Sequence, residues 1–382
     1  MRSADIPLSL YVHWPWCVRK CPYCDFNSHA LPHACDPSVP YIDALIADLK
    51  TSVQYARKRQ LISIFIGGGT PSLIAPKELE RFLNFVQANF SLAHNIEITL
   101  EANPGTVDTA HFKAYRSIGI NRLSMGIQSF NDELLKRLGR IHNRSDALQT
   151  IQIARETFDN FNLDVMFALP GQTLSELEFE LSEAIKSETT HLSFYQLTLE
   201  PNTVFAKHVP EGIPDADTIY QMQDLVSQTL ERAGFERYEV SGYAKPGLQC
   251  QHNLNYWQFG DYLACGAGAH SKVSLADGTI LREARYKQPE SFIRHALEDS
   301  AVAHKRTVEK EDLPFEFMLN VLRLRKGVPL ELLNDRTDLR IEDIQKQIRK
   351  AQALGLMPEP LDRIVASDKG WDFLSDLQEL FL

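Results

Sequence analysis

The sequence of 382 residues predicts an α/β protein in which a partial (β/α)6 barrel precedes a small α+β domain of the winged-helix type. Short apolar runs alternate with amphipathic helical patterns at intervals of about 30 residues, the size of a βαβ unit. Polar residues stand where successive strands are expected to end. The composition changes after about residue 305, which indicates a second domain.

The repeating units are marked by apolar runs that are hydrophobic on both faces. Such runs are typical of a parallel sheet covered by helices, either as an incomplete barrel or as an open doubly wound sheet. The predicted strands are 8–14, 61–67, 96–102, 122–128, 162–169 and 191–200. The predicted helices are 41–58, 76–89, 107–117, 145–158, 174–186 and 215–233.

Polar residues at the carboxyl ends of these strands favour the barrel. Glu101, Asn103, Gln128, Ser129 and the turn 67–70 (Gly-Gly-Gly-Thr) all fall at such ends. In barrels of the TIM type, polar groups from several strand ends gather at one mouth, which holds the functional site. We therefore expect these side chains to share one cavity.

The chain divides into three segments by composition. We expect the barrel in residues 1–240, a connecting segment in residues 241–304 and the winged-helix-like domain in residues 305–382. Residues 305–350 contain 11 Lys and Arg against 9 Asp and Glu, a balance too small to predict binding to nucleic acid. In the last segment the predicted elements are helices 313–324 and 341–354, a strand 363–366 and a final helix.

Composition and charge exclude several classes of protein. With 44% hydrophobic residues and a net charge of −10, the chain is neither disordered nor suited to a phosphate backbone. No apolar run reaches the roughly 18 residues of a membrane span, and the first residues do not resemble a secretory signal.

Three of the six cysteines lie within eight residues, which favours metal ligation in a reducing compartment and hence the cytoplasm. Cys35 and Cys265 are expected to be buried free thiols.

The clustered cysteines follow the first strand with CxxxCxxC spacing. Attachment of c-type haem is excluded, because Asp25 and not His follows the last of them. An iron–sulfur cluster with one iron left open and a structural zinc site, with His13 or His29 as fourth ligand, both remain possible. The turn GGGTPS (67–72) exposes backbone amides suited to a small zwitterion. The three cysteines are Cys17, Cys21 and Cys24.

Taken together, four motifs resemble the radical S-adenosylmethionine superfamily. They are YVHWPWCVRKCPYC (11–24), IFIGGGTPS (64–72), EANPG (101–105) and GIQSF (126–130). Within it, the sequence HNLNYW (252–257) and the ending Cys24-Asp25-Phe26 are similar to the haem chaperone (HemW) branch of the oxygen-independent coproporphyrinogen III oxidase group.

This resemblance implies a TIM-like partial barrel that holds a [4Fe–4S] cluster on Cys17, Cys21 and Cys24. The methionine part of S-adenosylmethionine would chelate the fourth iron, and the cluster would supply the electron that cleaves the sulfonium. The resemblance also implies the contacts to S-adenosylmethionine. These are Tyr11, Tyr23, Gly68, Gly69, Thr70, Glu101, Gln128, Arg140 and Asp164.

For function, the resemblance implies a haem chaperone that delivers haem to membrane-bound respiratory haem proteins through transient docking. His252 is the expected axial ligand to the haem iron, with Cys250 as the alternative, and Tyr256 and Trp257 are expected to stack on the macrocycle. The alternative is oxygen-independent coproporphyrinogen III oxidase, but Phe26 stands where the oxidases carry a further cysteine. A zinc-stabilised adaptor is a third, non-enzymatic hypothesis.

Overall fold

The computed structural model describes residues 5–32, 36–56, 58–106 and 108–382. Strands and helices alternate through most of the chain. The strands are β1 (Leu8–Trp14), β2 (Trp16–Cys17), β3 (His29–Ala30), β4 (Gln60–Gly68), β5 (Ser91–Ala102), β6 (Arg122–Gln128), β7 (Phe161–Phe167), β8 (His191–Gln196), β9 (Glu236–Arg237), β10 (Gly242–Ala244), β11 (Asp261–Cys265), β12 (His270–Ser274), β13 (Ile280–Arg285), β14 (Val302–Thr307), β15 (Val328–Pro329) and β16 (Arg363–Ile364).

The helices cover the sheet and build the second domain. They are α1 (Ser38–Ser52), α2 (Pro76–Asn89), α3 (Thr109–Ser117), α4 (Asp132–Arg137), α5 (Arg144–Thr157), α6 (Leu174–Lys186), α7 (Val204–Lys207), α8 (Ala216–Arg232), α9 (Gln251–Trp257), α10 (Pro289–Leu297), α11 (Leu313–Val321), α12 (Glu331–Thr337), α13 (Gln345–Ala353), α14 (Asp368–Asp372) and α15 (Leu374–Glu379). In the part of the chain that the structure describes, no helix is long and apolar enough to cross a membrane.

Six parallel strands form the centre of the sheet. They pair in the order β1-β4-β5-β6-β7-β8, each joined to the next by a crossover. Strand β6 is buried at every residue, because it has neighbouring strands at both edges and packing on both faces. This arrangement confirms the predicted α/β fold with a partial (β/α)6 barrel.

The sheet continues beyond β1, where the sequence predicts only a connecting segment. Strand β11 pairs in parallel with β1, and β12, β13 and β14 extend the sheet as antiparallel strands. The segment 241–304, predicted as a connecting segment with the HNLNYW motif, thus contributes β10 to β13 and the start of β14 to the sheet. Strands β11, β12 and β13 bury paired charges: Lys272 Nζ lies 2.9 Å from Asp261 Oδ1, and Arg285 Nε lies 3.3 Å from Asp48 Oδ1.

The second domain packs around its own hydrophobic core. Phe317 and Met318 of α11, Leu333 of α12 and Ile348 of α13 belong to this core, and Phe259 joins it from the segment before β11. The two short strands β15 and β16 pair antiparallel and form the wing. Helix α12 and strand β15 are absent from the sequence prediction, and the remaining order of helices and wing agrees with it.

Candidate cluster and cofactor site

The loop between β2 and β3 carries the three cysteines. Strands β2 and β3 pair in parallel at Cys17 and Ala30, which closes the loop at its base. Within the loop the amide of Cys24 donates to the carbonyl of Cys21 at 3.2 Å. All three cysteines are free and half-buried. Burial raises the pKa of the Cys17 thiol to about 11.

A cavity of about 460 Å³ opens beside this loop at the carboxyl ends of the parallel strands. It gathers the three cysteines and eight of the nine side chains or glycines expected to contact S-adenosylmethionine. Lining residues include Cys17, Cys21, Tyr23, Cys24, Gly68, Gly69, Thr70, Glu101, Gln128, Arg140 and Asp164. The structure thus brings these residues to one site, as the pattern of polar strand ends predicts.

The triglycine turn lets the end of β4 lie directly against the cysteine-bearing strand. The amide of Gly69 donates to the carbonyl of Trp14 at 2.6 Å, and the amide of Thr70 donates to that of Trp16 at 2.8 Å. A Cβ atom on Gly69 would lie 2.5 Å from the carbonyl oxygen of Trp16, so only glycine fits without a backbone shift. The two motifs therefore form one packed unit.

Two half-buried carboxyl groups face the cavity, Glu101 from β5 and Asp164 from β7. Glu101 accepts a hydrogen bond from the amide of Gly68 at 2.9 Å, and Asp164 accepts one from Ser124 Oγ at 3.1 Å. Burial, with a smaller effect from Asp164, raises the pKa of Glu101 to about 8. Burial also raises the pKa of Asp164. A ligand with hydroxyl or cationic groups would offset the cost of ionising these carboxyls.

Arg140 brings a positive charge to the cysteine loop. Its Nη1 atom lies 3.5 Å from Cys21 Sγ, and its Nη2 atom donates to Asn103 Oδ1 at 2.6 Å and to the carbonyl of Gly126 at 2.8 Å. A cation at this distance stabilises thiolate ligands and their cluster. Asn103 in turn donates to Thr70 Oγ1 at 2.8 Å, so the guanidinium is fixed in place.

The donor set suits a multi-iron cluster better than a zinc ion. Within the described ranges, no group of three or more His, Cys, Asp and Glu side chains is placed to hold a single metal ion. His13 is occupied on both ring nitrogens, by Tyr11 Oη at 2.9 Å and the carbonyl of Asn27 at 3.0 Å. The Nε2 atom of His29 lies 3.3 Å from Asn27 Oδ1. Three thiols around an open cavity fit a cluster of several irons, in which one iron has no cysteine ligand and can bind another ligand.

The chain turns sharply where β6 ends, and this separates two residues that are adjacent in sequence. Gln128 has a left-handed φ of 67° and lines the cavity. Ser129 donates to the buried Glu180 carboxylate instead, so the expectation that Ser129 reaches the mouth is wrong. Tyr195, which the sequence analysis did not single out, donates to Gln128 Oε1 at 2.6 Å and lines the cavity. Tyr195 lies near the end of β8, but the predicted strand 191–200 placed it in mid-strand, so the sequence offered no signal for it.

Tyr11 is the one expected contact that does not line the cavity. Its ring stacks on Phe65, with 6.3 Å between centroids, and its hydroxyl contacts His13. Tyr11 therefore supports the site through its neighbours in this structure.

The HNLNYW sequence forms helix α9, and residues at its two ends contact different parts of the molecule. His252 Nδ1 lies 3.1 Å from Ser63 Oγ, and its ring packs against Phe65 and Tyr11. Burial lowers the pKa of His252 to about 3, so its imidazole is neutral. Tyr256 and Trp257 pack on each other at 4.8 Å and line a separate groove, to which His252 does not contribute.

Cys250 lies at the start of this helix, deep in the protein. It is buried, and its Sγ atom lies 3.4 Å from Glu97 Oε1. The same carboxylate accepts from the amides of Gln251 and His252. Burial raises the pKa of the Cys250 thiol to about 12, which disfavours a thiolate ligand. Cys265 is buried and free as expected, and Cys35 lies outside the described residues.

A parallel barrel whose cavity joins three cysteines to a triglycine turn defines a radical S-adenosylmethionine protein. The family model of the Radical SAM superfamily matches residues 11–182, and that of the HemN C-terminal domain matches residues 308–373. Heme chaperone HemW of Escherichia coli (strain K12) is 46% identical over 377 residues, which are 98% of each chain. The chain belongs to the HemW branch of the radical SAM superfamily. Membership implies a [4Fe–4S] cluster and S-adenosylmethionine.

More distant relatives belong to the same superfamily. Heme chaperone HemW of Bacillus subtilis (strain 168) is 36% identical over 270 residues, 69% of this chain and 71% of that protein. The mitochondrial radical S-adenosyl methionine domain-containing protein 1 of Danio rerio is 35% identical and covers 85% of this chain and 75% of its own length. The solved structure of coproporphyrinogen III oxidase (HemN) from Escherichia coli, a radical SAM enzyme, has the same fold, with a TM-score of 0.83, 21% identity, and coverage of 99% and 90%.

Proposed function

We propose that this protein is a haem chaperone that binds haem, a [4Fe–4S] cluster and S-adenosylmethionine, and delivers haem to membrane-bound respiratory haem proteins. The observation that carries the proposal is the 46% identity to a haem chaperone over 98% of both chains. The proposal includes a cytoplasmic location and transient docking to the acceptor.

In this proposal the cluster is held by Cys17, Cys21 and Cys24, the free cysteines that line the cavity. The bound cluster supplies an electron for reductive cleavage of the sulfonium of S-adenosylmethionine. Arg140 holds positive charge beside the thiolates, 3.5 Å from Cys21 Sγ.

The remaining polar residues of the cavity orient S-adenosylmethionine. Gly69 and Thr70 present the edge of the turn to the amino-acid end, and Glu101 accepts from hydroxyl or ammonium groups. Asp164 is held by Asn162 Nδ2 at 2.9 Å and by Ser124, which fixes the direction of its free lone pairs. These roles follow the family pattern residue by residue.

The second candidate function is oxygen-independent coproporphyrinogen III oxidase. Its support is the shared fold with the oxidase from Escherichia coli. Against it stands Phe26, which is 60% exposed beside the cavity at the position where the oxidases carry a further cysteine. Formation of protoporphyrinogen by the reconstituted protein, detected by mass spectrometry, would favour the oxidase and overturn our preference.

The test of the chaperone proposal is an anaerobic haem titration of the cluster-loaded protein, followed by mixing with an apo-acceptor such as a haem-free respiratory cytochrome. We expect a saturable change of the Soret band at one haem per chain and then transfer of that haem to the acceptor. The absence of saturable binding would refute the proposal. His252→Ala, measured in the same titration, tests whether the enclosed imidazole contributes.

A further inference from the structure

The loop that carries the cysteines ends in a buried serine, Ser28, to which no role has been assigned above. Its residue is 4% exposed, and its Oγ atom lies 3.4 Å from Cys24 Sγ, within hydrogen-bonding distance for sulfur. Among the residues that the structure describes, Cys24 is the only hydrogen-bond partner of this hydroxyl. The hydroxyl is therefore directed at one of the three expected cluster ligands.

Hydrogen bonds fix the backbone on both sides of Ser28. Its amide donates to the carbonyl of Phe26 at 2.6 Å, and the amide of His29 donates to the carbonyl of Pro15 at 2.7 Å. The second bond ties the end of the loop to the residue before β2, at the base of the same loop. Together they restrict the backbone of Ser28 and hence the direction of its hydroxyl.

The extended sheet holds the residue that precedes Ser28. Asn27 Nδ2 donates to the carbonyl of Ala267, between β11 and β12, at 2.9 Å and to the carbonyl of Lys287, after β13, at 2.8 Å. A Cβ atom on Gly268 would lie 2.7 Å from Asn27 Nδ2, so the turn has room for this side chain because it carries glycine. The sheet extension thus anchors the segment that carries Ser28.

A hydroxyl beside a cysteine ligand has a defined chemical effect. A thiolate that binds iron has no proton, so with Cys24 as a ligand the hydrogen bond runs from Ser28 Oγ to Cys24 Sγ. Reduction adds one negative charge to a cluster, and a donor to a ligand sulfur stabilises the reduced form more than the oxidised form. Such a donor therefore raises the reduction potential. Arg140, at 3.5 Å from Cys21 Sγ, acts in the same direction at a second cysteine.

We propose that Ser28 is a positioning residue that acts through Cys24: it donates a hydrogen bond to the Cys24 thiolate and thereby raises the reduction potential of the [4Fe–4S] cluster. This inference rests on the proposed ligation of that cluster by Cys17, Cys21 and Cys24. It also gives strands β11 to β13 a part in the site, because they hold Asn27 and so the direction of the serine.

The test measures the midpoint potential of the reconstituted cluster without S-adenosylmethionine. Wild type, Ser28→Ala, Ser28→Thr and Ser187→Ala are titrated anaerobically with viologen dyes, each of which supplies one electron, and followed by absorption near 400 nm and electron paramagnetic resonance. Ser187 is the matched control, because it is also buried but donates to the carbonyl of Ala184, outside the cavity.

We expect Ser28→Ala to shift the reduction equilibrium about three- to tenfold toward the oxidised form, equivalent to a midpoint ~30–60 mV more negative for one electron. Ser28→Thr keeps the hydroxyl and should lie closer to the wild type than Ser28→Ala does. Ser187→Ala should titrate as the wild type does.

Iron content, measured on the same samples, separates an effect on potential from a failure of assembly. A reduction equilibrium in iron-replete Ser28→Ala within about 1.5-fold of the wild type would overturn the inference. An equal shift in Ser187→Ala would also overturn it, and so would loss of iron from Ser28→Ala, because the serine would then hold the loop together without setting the potential. If the wild type assembles no cluster, the proposed ligation and this inference both fail, whereas failure to bind haem would overturn the chaperone function alone.

Discussion

Replacement of Glu101 by Gln tests the electrostatic design of the cofactor cavity. With a pKa of about 8, this carboxyl is about nine-tenths protonated at pH 7 in the ligand-free protein. A ligand that donates hydrogen bonds or positive charge to Glu101 favours the ionised form. Binding of S-adenosylmethionine should therefore release about 0.9 proton more from the wild type than from Glu101→Gln at pH 7.

The same reasoning fixes the sign of the pH dependence. The pKa is raised in the free protein, so ionisation before binding costs on the order of 1 kcal/mol at pH 7 and little above pH 8. The difference in affinity between wild type and Glu101→Gln should thus increase from pH 6 to pH 8 and then level off. Charge-assisted hydrogen bonds contribute about 1.5–3 kcal/mol, so we expect a loss of about tenfold or less at pH 7 and a larger one at pH 9.

Anaerobic calorimetry of cluster-loaded protein, in buffers with different heats of ionisation, measures the protons released. Glu180→Gln is the matched control, because burial also raises the pKa of Glu180, to about 7, but it bonds to Ser129 and does not line the cavity. Equal proton release in wild type and Glu101→Gln would refute the reasoning, and so would a loss in Glu180→Gln alone.

Three further predictions have clear expected results. Gly69→Ala should lose most of its iron while keeping its far-ultraviolet dichroism, because the new Cβ meets backbone at 2.5 Å; normal iron content would contradict this. Cys21→Ala should lose iron and absorption near 400 nm, and the buried Cys265→Ala should retain both, as colorimetric iron analysis would show. Lys272→Met should destabilise the protein by about 3 kcal/mol because it leaves buried Asp261 short of one partner. An unchanged urea midpoint would argue against that.

The sequence predicts the barrel well because its signals are local. Strands β1 and β6 and helices α2 and α6 have the predicted bounds, since buried strands and amphipathic helices differ clearly in period. The extension of the sheet through β11 to β14 was missed because β11 pairs with β1 across about 250 residues of chain. Its neighbours also bury charges, and those charges look like surface residues until their partners are known.

The residues of the site also divide into those that local sequence signals place correctly and those that depend on tertiary contacts. Glu101, Gln128 and the triglycine turn could be placed together, because parallel strands end at one edge of a sheet. Ser129 could not be placed correctly, because the left-handed turn at Gln128 decides which side chain faces the cavity. Tyr195 required knowledge of its hydrogen bond to Gln128, which spans 67 positions of sequence.

Helix α9 lines the groove directly and is separated from the cysteine-lined cavity by other side chains. His252 packs on Phe65 and Tyr11, whose strands end at the cysteine-lined cavity, and Tyr256 and Trp257 line the groove. The helix has seven residues, and Glu97 anchors it to β5. Thermodynamic linkage makes any coupling through this helix reciprocal: the factor by which S-adenosylmethionine changes haem affinity equals the factor by which haem changes the affinity for S-adenosylmethionine. Under the proposed chaperone function, such coupling would make the release of haem depend on the state of the cofactor.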